Sequence, residues 1–431
     1  MSAADTIFAL SSGAPPAAIA IIRISGPSAF YALEVLAGYV PVARRAALVK
    51  VKRPDDKNVL DRALAFAFPG PDSVSGEDLA ELHLHGGRAV VRAVEAALAE
   101  IPGLRRAEPG EFTRRAFLNG KIDLNEAEGL SDLLAAETEW QRRAAGAMSG
   151  GAFSLMVETW RRDVLDLSAL TEAELDFSDE GDVETQDNVI ISVGCVRLHD
   201  TITDMLAAPS AEKLRDGLRV VLGGPPNSGK STLLNALVAR DAAIVSDIAG
   251  TTRDLIDVPV ALDGIPFIFT DTAGVRDSTD DVIEAMGIER TVAVFELADI
   301  ILWLGDEGAG PNHPHLIEIE PKLDDPAHRP KSKSAFAVSA VCGDGMGALV
   351  ADIIDRAKTL LPPPDSFAVN QRQRALLSDC AKALAEASQA NDWLIVGEHL
   401  RQSRLALDSL TGRAHTEDML DTLFGKFCVG K

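Results

Sequence analysis

The stretch "LRVVLGGPPNSGKSTLLNALVA", Leu218 to Ala239, decides the fold of the middle of this chain. Its apolar start predicts a buried strand, its Gly- and Pro-rich centre a tight loop, and its apolar end a helix. Within it, "GPPNSGKS" matches the phosphate-loop pattern G-x-x-x-x-G-K-[ST] in the strand-and-helix context that the pattern requires. Lys230 would neutralise phosphate oxygens and the Ser231 hydroxyl would ligate magnesium, whereas a plain Gly-rich turn needs neither side chain. The predicted nucleotide contacts here are Asn227, Ser228, Gly229, Lys230, Ser231 and Thr232.

Two later stretches match, in order, the switch segments of a nucleoside triphosphatase. In "DIAGTTRD", Thr251 and Thr252 can sense magnesium, with an ordinary turn threonine as the alternative for Thr252. The strand of "IPFIFTDTAG" delivers Asp271 beside the metal, and Gly274 can offer a flexible backbone N–H to the γ-phosphate. Further contacts are predicted at Ser246, Asp247, Ile248, Ala249, Gly250, Thr251, Thr252, Asp271, Thr272, Ala273 and Gly274.

The residue that would position the attacking water is missing from its usual place. Val275 follows "DTAG", where Ras-like enzymes carry a glutamine, and a valine cannot orient water. Hydrolysis therefore needs another polar group or a cation, and Glu284 in "DDVIEAMGIER" is the candidate, beside Lys230 and Asp271. Taken without its neighbours, Glu284 would be a surface carboxylate on a helix.

The element that reads guanine is present only in part. It normally follows a strand as Asn-Lys-x-Asp, but "LIEIEPKLDD", Leu316 to Asp325, has Pro321 in place of the asparagine. Lys322 can still cover the base, and Asp324 can still accept from two guanine donors that adenine lacks. The sequence therefore predicts guanine preference with weakened affinity, and the alternative is that "KLDD" is only a polar loop.

Length and composition describe a large soluble protein of the reducing cytosol. A chain of 431 residues favours about three domains, and no apolar run approaches the roughly 18 to 20 residues that span a bilayer. The four cysteines lack C-x-x-C spacing, which argues against a zinc site or a disulfide framework, and the N-terminus does not predict a signal peptide. The net charge of -23 means that any nucleic-acid contact needs a local basic patch or a partner's surface.

Periodicity divides the chain into three parts. Residues 1–122 mix short strand-like runs with helical ones and predict a small α+β domain. Residues 123–213 and 366–431 have helical spacing, and the simplest packing joins them into one discontinuous bundle. Residues 214–365 alternate strands and helices and form an inserted α/β domain, which ends at the linker "LLPPPDS". The acidic run "TEAELDFSDEGDVETQD" predicts a solvated helix end or loop.

These motifs resemble the tRNA-modification GTPases of the MnmE (TrmE) family. The family's N-terminal blocks are similar to "DTIFALSSGAPPAAIAIIRISGP", "SGEDLAELHLHGG" and "EPGEFTRRAFLNGKIDLNEAE", and "FGKFCVGK" is similar to its C-terminal Cys-x-Gly-Lys. The resemblance implies a folate-binding and dimerisation domain, a helical domain and an inserted Ras-like P-loop G domain. It also implies a cytoplasmic homodimer that forms a heterotetramer with an FAD- and NADH-dependent MnmG/GidA-type protein and meets tRNA through that complex, away from any membrane. The implied task is to add an aminomethyl or carboxymethylaminomethyl group at C5 of the wobble uridine, with GTP as substrate and a 5-formyl or methylene tetrahydrofolate as the carbon source.

The resemblance also assigns ligand-binding roles to residues whose sequence context alone predicts none. Folate contacts fall on Arg23, Glu81, Lys121 and Lys431, each of which would otherwise be interpreted as a surface charge. Magnesium falls on Ser231 and Thr252, potassium on Asn227, Ser246, Ile248 and Thr251, and the loop beside guanine on Ser339 and Ala340. Cys428 matches a family cysteine.

Two rival functions differ in what they need from the sequence. A ribosome-assembly GTPase switch would lack the folate blocks and the terminal "CVGK", and would usually carry a basic RNA-binding module. An ATP-using P-loop enzyme would have no use for a guanine contact at Asp324.

Overall fold

The computed structural model describes residues 5–177, 186–241, 243–244, 256–272, 293–326, 328, 330–332, 336–414, 417–425 and 427–430. The strands are β1 Thr6–Leu10, β2 Ile19–Ser25, β3 Ala47–Lys52, β4 Val59–Phe68, β5 Leu79–His85, β6 Leu104–Arg106, β7 Leu218–Gly223, β8 Ala243–Ile244, β9 Ile256–Leu262, β10 Ile265–Asp271, β11 Ile300–Trp303, β12 Leu316–Glu320 and β13 Phe336–Ala337. The helices are α1 Ala29–Ala37, α2 Arg88–Ala99, α3 Glu111–Leu118, α4 Leu124–Ala135, α5 Glu139–Ser149, α6 Ala152–Phe177, α7 Gln186–Ala207, α8 Ala211–Asp216, α9 Lys230–Asp241, α10 Met346–Leu360, α11 Gln371–Gln389, α12 Trp393–Thr411 and α13 Glu417–Phe424. The chain divides into two compact units, 1–131 with 408–431, and 132–407.

The first unit is built on a six-stranded sheet with the order β3-β4-β5-β2-β1-β6. Its strands pair antiparallel except β1 and β6, which run parallel. Alternate residues of the central strands, such as Ile22 and Leu82, are fully buried in one core with Leu33 of α1 and Val94 of α2. This period of two is what the sequence requires for a sheet with one face under helices.

A partly buried ion-pair network joins Asp5, just before β1, to Arg105 of β6 and to α3. Arg115 donates to Glu111 at 3.0 Å and to Asp5 at 2.9 Å, and Arg105 donates to both of those carboxylates at 2.6 Å. Burial raises the pKa of Glu111, but hydrogen bonds from Arg105, from the Glu108 N–H and from Arg115 outweigh it, so the pKa lies below its usual value. Glu111 is therefore ionised in the folded unit at neutral pH.

Glu111→Gln is expected to destabilise this unit by about 3 kcal/mol, since it removes the buried counter-charge and leaves Arg105 and Arg115 only the partly exposed carboxylates of Asp5 and Glu77. Because the folded pKa of Glu111 is depressed, its contribution is complete above the unfolded pKa of about 4.3 and is lost as the pH falls below it. Hydrogen exchange of the β1 and β6 amides measures the stability of this unit. The exposed neighbour Glu108→Gln is the control, and equal protection in both variants would contradict the network's role.

The second unit contains a seven-stranded sheet with the order β13-β12-β11-β7-β10-β9-β8. β7 lies between β10 and β11 and pairs parallel with both, and β9 pairs antiparallel with β10. Val220 and Leu222 of β7 are buried with Leu237 of α9 and Ile353 of α10. Because β7 is central and parallel, its carboxyl end opens at the edge of the sheet where α/β proteins bind their ligands.

Long helices make up the rest of the second unit. α6 has 26 residues and α7 has 22, and buried side chains from α7, α11 and α12 include Cys195, Cys380 and Leu400. Burial raises the pKa of Cys195 to about 11 and that of Cys380 to about 12, as expected for packing thiols without a redox role. Throughout the described ranges, no helix is long and apolar enough to cross a membrane. The predicted fold class, an α+β N-terminal domain with a discontinuous helical region and an inserted P-loop α/β domain, is confirmed.

Candidate functional site

The phosphate loop connects the end of β7 to the start of α9. Gly224 and Gly229 have φ of 145° and 101°, which L side chains rarely adopt, and Asn227 also has a positive φ of 63°. A Cβ at Gly224 would lie 3.0 Å from the backbone N of Gly305, so only glycine fits against the turn after β11. The amide of Ser228 donates to Pro225 O at 3.3 Å. A tight, glycine-dependent turn that leads into the start of a helix is the arrangement that phosphate binding requires.

Lys230 and Ser231 start α9 at the mouth of this loop. Lys230 is 5% exposed, and its Nζ donates to Gly224 O and Pro225 O at 3.0 Å each. The Ser231 hydroxyl donates to Asp271 Oδ2 at 2.6 Å, because β10 pairs with β7 and ends beside the loop. A hydroxyl and a carboxylate side by side are the hard oxygen ligands that magnesium prefers. The neighbouring Thr272 hydroxyl donates to Leu222 O at 2.8 Å and fixes the end of β10.

The partial guanine element is joined directly to the phosphate loop. Lys322 has a positive φ of 61°, and its Nζ donates to Asn227 O at 2.7 Å. Its stem passes beside Gly229, where a Cβ would lie 3.8 Å from Lys322 Cε. A lysine held against the loop in this way would lie along one face of a base whose phosphates occupy the loop.

Asp324 is held by the loop that contains Ser339. The buried Ser339 hydroxyl donates to Asp324 Oδ1 at 2.6 Å and accepts from the Cys342 amide at 3.0 Å. The hydrogen bond from Ser339 and one from the backbone of Asp324 lower the pKa of Asp324 below its usual value. Asp324 therefore presents an ionised carboxylate, which accepts from two donors at once. Ala340 follows Ser339 in the same loop and is partly buried.

Glu320, which sequence reasoning missed, braces the segment after the guanine element. It is 5% exposed at the end of β12, and its carboxylate accepts from His328 Nε2 and from the Lys331 amide at 2.9 Å each. The alternation of β12 predicts that the side chain of Glu320 is partly exposed, like those of Leu316 and Glu318. The sequence offers one signal against this, namely a carboxylate at the end of an apolar strand. Pro321 supplies no amide, and the loop is instead anchored one residue earlier.

The nucleotide cavity also contains residues that the motifs did not predict. It measures about 870 Å³ and is lined by Lys230, Ser231 and Thr232 together with Phe295, Trp303 and Asp306. Residues 304–315, all described, contain no helix, which agrees with the short spacing between β11 and β12 in the sequence. Trp303 therefore borders the cavity and can report nucleotide binding by its fluorescence.

Several predicted contacts lie outside the described residues. Among the residues that the structure does describe, no cluster of three or more His, Cys, Asp or Glu side chains could hold a metal ion. Ser231 and Asn227 are the members of the predicted magnesium and potassium ligand sets that it places. The predictions that it does not reach are Ser246, Asp247, Ile248, Ala249, Gly250, Thr251, Thr252, Ala273, Gly274, Glu284 and Lys431.

In the first unit, the sheet brings Arg23 and Glu81 together. They lie opposite each other on β2 and β5, and Arg23 donates to Glu81 Oε1 from Nη2 at 2.9 Å and from Nε at 3.1 Å. His83 contacts the other oxygen of Glu81 at 3.1 Å, and the Arg23 guanidinium lies 5.8 Å from the centre of the Phe112 ring. Lys121 is exposed after α3 and makes no hydrogen bond to either member of the pair in the described structure.

The C-terminal segment packs on the same unit. Pro109 and Val429 form a β-bridge, the Gly110 amide donates to Cys428 O at 3.4 Å, and the Ser11 hydroxyl donates to Gly430 O at 2.7 Å. Cys428 is exposed. The C-terminal segment is thus held beside the end of β1, through a bond between residues that lie 419 positions apart in the sequence.

Two protein-family models match the chain. One, described as the GTP-binding protein TrmE N-terminus, matches residues 6–121, and the other, described as the MnmE helical domain, matches residues 124–428. Among solved structures, the G domain of the T. maritima FeoB iron transporter is 20% identical and covers 32% of this chain and 98% of that one. The TM-score of this match is 0.24.

The chain is also similar to curated proteins named tRNA modification GTPase MnmE. The one from Novosphingobium aromaticivorans is 55% identical over 435 residues, which cover 99% of this chain and all of the relative. Those from Erythrobacter litoralis and Rhizorhabdus wittichii are each 55% identical, over 427 and 432 residues, and cover 99% and 100% of this chain. These two alignments cover 100% and 97% of the relatives' own lengths.

Proposed function

Since the chain belongs to the MnmE family of tRNA modification GTPases, we propose that it hydrolyses GTP to modify the wobble uridine of certain tRNAs. With an FAD- and NADH-dependent MnmG/GidA-type partner, it would add an aminomethyl or carboxymethylaminomethyl group at C5, using the carbon of a 5-formyl or methylene tetrahydrofolate. It would act as a cytoplasmic homodimer within a heterotetramer, with tRNA bound largely through the complex.

One observation carries the GTPase part of this proposal. Lys322 Nζ donates to Asn227 O in the phosphate loop, and Asp324 is held by Ser339, so the base-reading and phosphate-binding residues belong to one site. A polar loop of no function would not be expected to cross over the phosphate loop in this way. An ATP-using enzyme would gain nothing from an ionised carboxylate at Asp324, because adenine has no donor pair to give it.

The chain's own residues would act on the nucleotide as follows. Lys230 lies where it can transfer its hydrogen bonds from Gly224 O and Pro225 O to phosphate oxygens, and so neutralise charge that develops there. Bound Mg²⁺, held by Ser231 and Thr252, and bound K⁺, held by Asn227, Ser246, Ile248 and Thr251, would supply further positive charge at the phosphates. Glu284 would orient the attacking water in place of the glutamine that Val275 replaces.

The folate part rests on Arg23, Glu81, Lys121 and Lys431. A folate carries an anionic glutamate tail that suits Arg or Lys, and a pterin with N–H donors that suit a carboxylate. Because Arg23 and Glu81 are paired with each other at 2.9 Å, a folate that uses either group must share or replace that pair. The buried Phe112 ring lies 5.8 Å from the Arg23 guanidinium and supports that side chain.

Gly430→Ala is expected to weaken folate binding about tenfold while GTP hydrolysis stays unchanged. Gly430 has φ of 95°, and a Cβ there would lie 1.9 Å from Leu10 O, so the tail that carries Lys431 would be displaced. The affinity for 5-formyltetrahydrofolate, measured by calorimetry, checks this. Gly38→Ala is the matched control, because Gly38 has a similar φ of 87° but nothing within 4 Å of its added Cβ. A normal affinity in Gly430→Ala would contradict a role for the docked tail.

Potassium dependence tests the proposed hydrolysis. GTP turnover by the full chain should be at least about tenfold faster in potassium than in sodium, since a cation near the phosphates supplies the charge that an arginine finger gives in other GTPases. Glu284→Ala should lower turnover by roughly 10²-fold, whereas Glu289→Ala, which removes the same charge nearby, should not. Equal rates in the two salts would overturn the cation role, and an active Glu284→Ala would overturn the carboxylate role.

A further inference from the structure

The β3–β4 hairpin is strongly basic although the chain is strongly acidic. Residues 44–62, here called the basic hairpin, carry seven Lys or Arg side chains and three Asp, a local charge of +4 in a chain of net charge -23. The cations are Arg44, Arg45, Lys50, Lys52, Arg53, Lys57 and Arg62, and the acids are Asp55, Asp56 and Asp61.

Three of these cations lie on one exposed face at the edge of the sheet. Lys50 and Lys52 alternate with buried residues on the edge strand β3, and Lys50 lies directly opposite Arg62 on β4. All three side chains are exposed, and none forms a hydrogen bond or ion pair within the part of the chain that is described. The acid beside Arg62 in sequence, Asp61, already accepts from the backbone N–H of His85 and contacts its ring nitrogen, at 2.8 Å each. The face is therefore positive and uncompensated.

The pairing of Lys50 with Arg62 across the two strands lowers the stability of the sheet, so folding alone does not account for it. Like charges opposite each other on neighbouring strands destabilise a sheet, and Lys50 faces Arg62 in that way. Lysines on an edge strand protect against aggregation, which accounts for Lys50 and Lys52 but not for Arg62 on the second strand. An anion that bridges the two strands would relieve the repulsion.

We propose that the basic hairpin binds the phosphate backbone of tRNA. This inference rests on the proposed function, in which tRNA is the substrate, and gives this chain a contact of its own beside those of the partner protein. Unpaired Lys and Arg side chains supply most of the affinity for a nucleic-acid backbone. A lipid surface fits less well, because the tip of the hairpin, residues 54–58, is "PDDKN", with two acids and no large apolar side chain.

The test is the binding of fluorescently labelled bacterial tRNA to the full chain, without nucleotide, at 50 and 150 mM KCl. The triple variant Lys50→Gln, Lys52→Gln, Arg62→Gln should bind about tenfold more weakly at low salt. The slope of log affinity against log salt concentration should become smaller in magnitude by about 2 to 3, because each lost phosphate contact removes roughly 0.7 to 0.9 from it. Lys50→Arg, Lys52→Arg, Arg62→Lys, which keeps the charges, should bind like the wild type. The matched control removes three surface cations of the second unit, Arg142→Gln, Lys382→Gln and Arg401→Gln, and lowers the net charge equally.

Four results would overturn the proposal. They are unchanged binding in the triple variant, an equal loss in the matched control, binding to anionic lipid vesicles in place of tRNA, and a change of oligomeric mass that shows a second copy of this acidic chain covers the hairpin. The binding measurement does not depend on turnover. A chain that binds tRNA through the hairpin but fails to hydrolyse GTP would therefore refute the proposed function and leave this inference standing.

Discussion

Replacing Lys230 by alanine is expected to lower GTP hydrolysis by about a thousandfold. Lys230 is 5% exposed at the mouth of the phosphate loop. Among the described residues, the only other lysine or arginine that lines the nucleotide cavity is Lys322, which donates to Asn227 O. Removing one preorganised donor from a site of developing charge costs roughly 10²- to 10³-fold in rate, and here a full charge is lost as well. Single-turnover hydrolysis measures the effect independently of nucleotide affinity.

Two controls separate the charge of Lys230 from its shape and from general damage. Lys230→Arg keeps the charge but replaces a compact ammonium by a planar fork, so it should recover only part of the rate. Lys358→Ala removes a lysine of the same unit whose side chain is 44% exposed and should hydrolyse GTP at the normal rate. A Lys230→Ala variant that turns over GTP within about threefold of the wild type would contradict the role of this loop.

Asp324→Asn is expected to lower the affinity for GDP by about a thousandfold and to raise that for xanthosine diphosphate. Guanine donates to a carboxylate from two groups, and an asparagine can accept from one of them but faces the other donor-to-donor. Xanthine has an oxygen in place of the amine, so an amide at position 324 complements it. Because Ser339 and the backbone lower the pKa of Asp324, the guanine preference of the wild type should not change between pH 8 and pH 5.

Competition binding with the two diphosphates checks this exchange of preference. Asp325→Asn removes the same charge one residue later and should keep the guanine preference. If Asp324→Asn bound GDP as the wild type does, Asp324 would not be the base-reading carboxylate. If both variants lost affinity equally, the cause would be the charge of the loop and not a contact with the base.

The phosphate half of the site could be predicted because its signals are local. The residue types of Gly224, Gly229, Lys230 and Ser231 are fixed by one turn between a strand and a helix, so a pattern of eight residues specifies them. Asp271 is nearly as predictable, since a residue at the end of a parallel strand next to β7 must lie beside the loop that follows β7.

The base-reading half depends on contacts that the local pattern does not contain. The sequence predicts a pocket that lacks the brace of an asparagine at Pro321, whereas Glu320 takes part in bracing through His328 and Lys331, up to 11 residues away. Strand alternation assigns Glu320 to the exposed face, and only the fold of the following loop over it explains its burial. The pairing of Arg23 with Glu81 depends in the same way on the register of strands 58 residues apart.

The central claim is that Lys322 and Asp324 complete a guanine nucleotide site although Pro321 replaces the usual asparagine. The affinity of the full wild-type chain for GDP and for ADP, measured by calorimetry with magnesium, tests this most directly. The account predicts that GDP binds at least about 10³-fold more tightly than ADP, because only guanine offers the pair of donors that the Asp324 carboxylate can accept. Affinities within about tenfold of each other would contradict it, because a site that only held phosphates would bind both diphosphates alike.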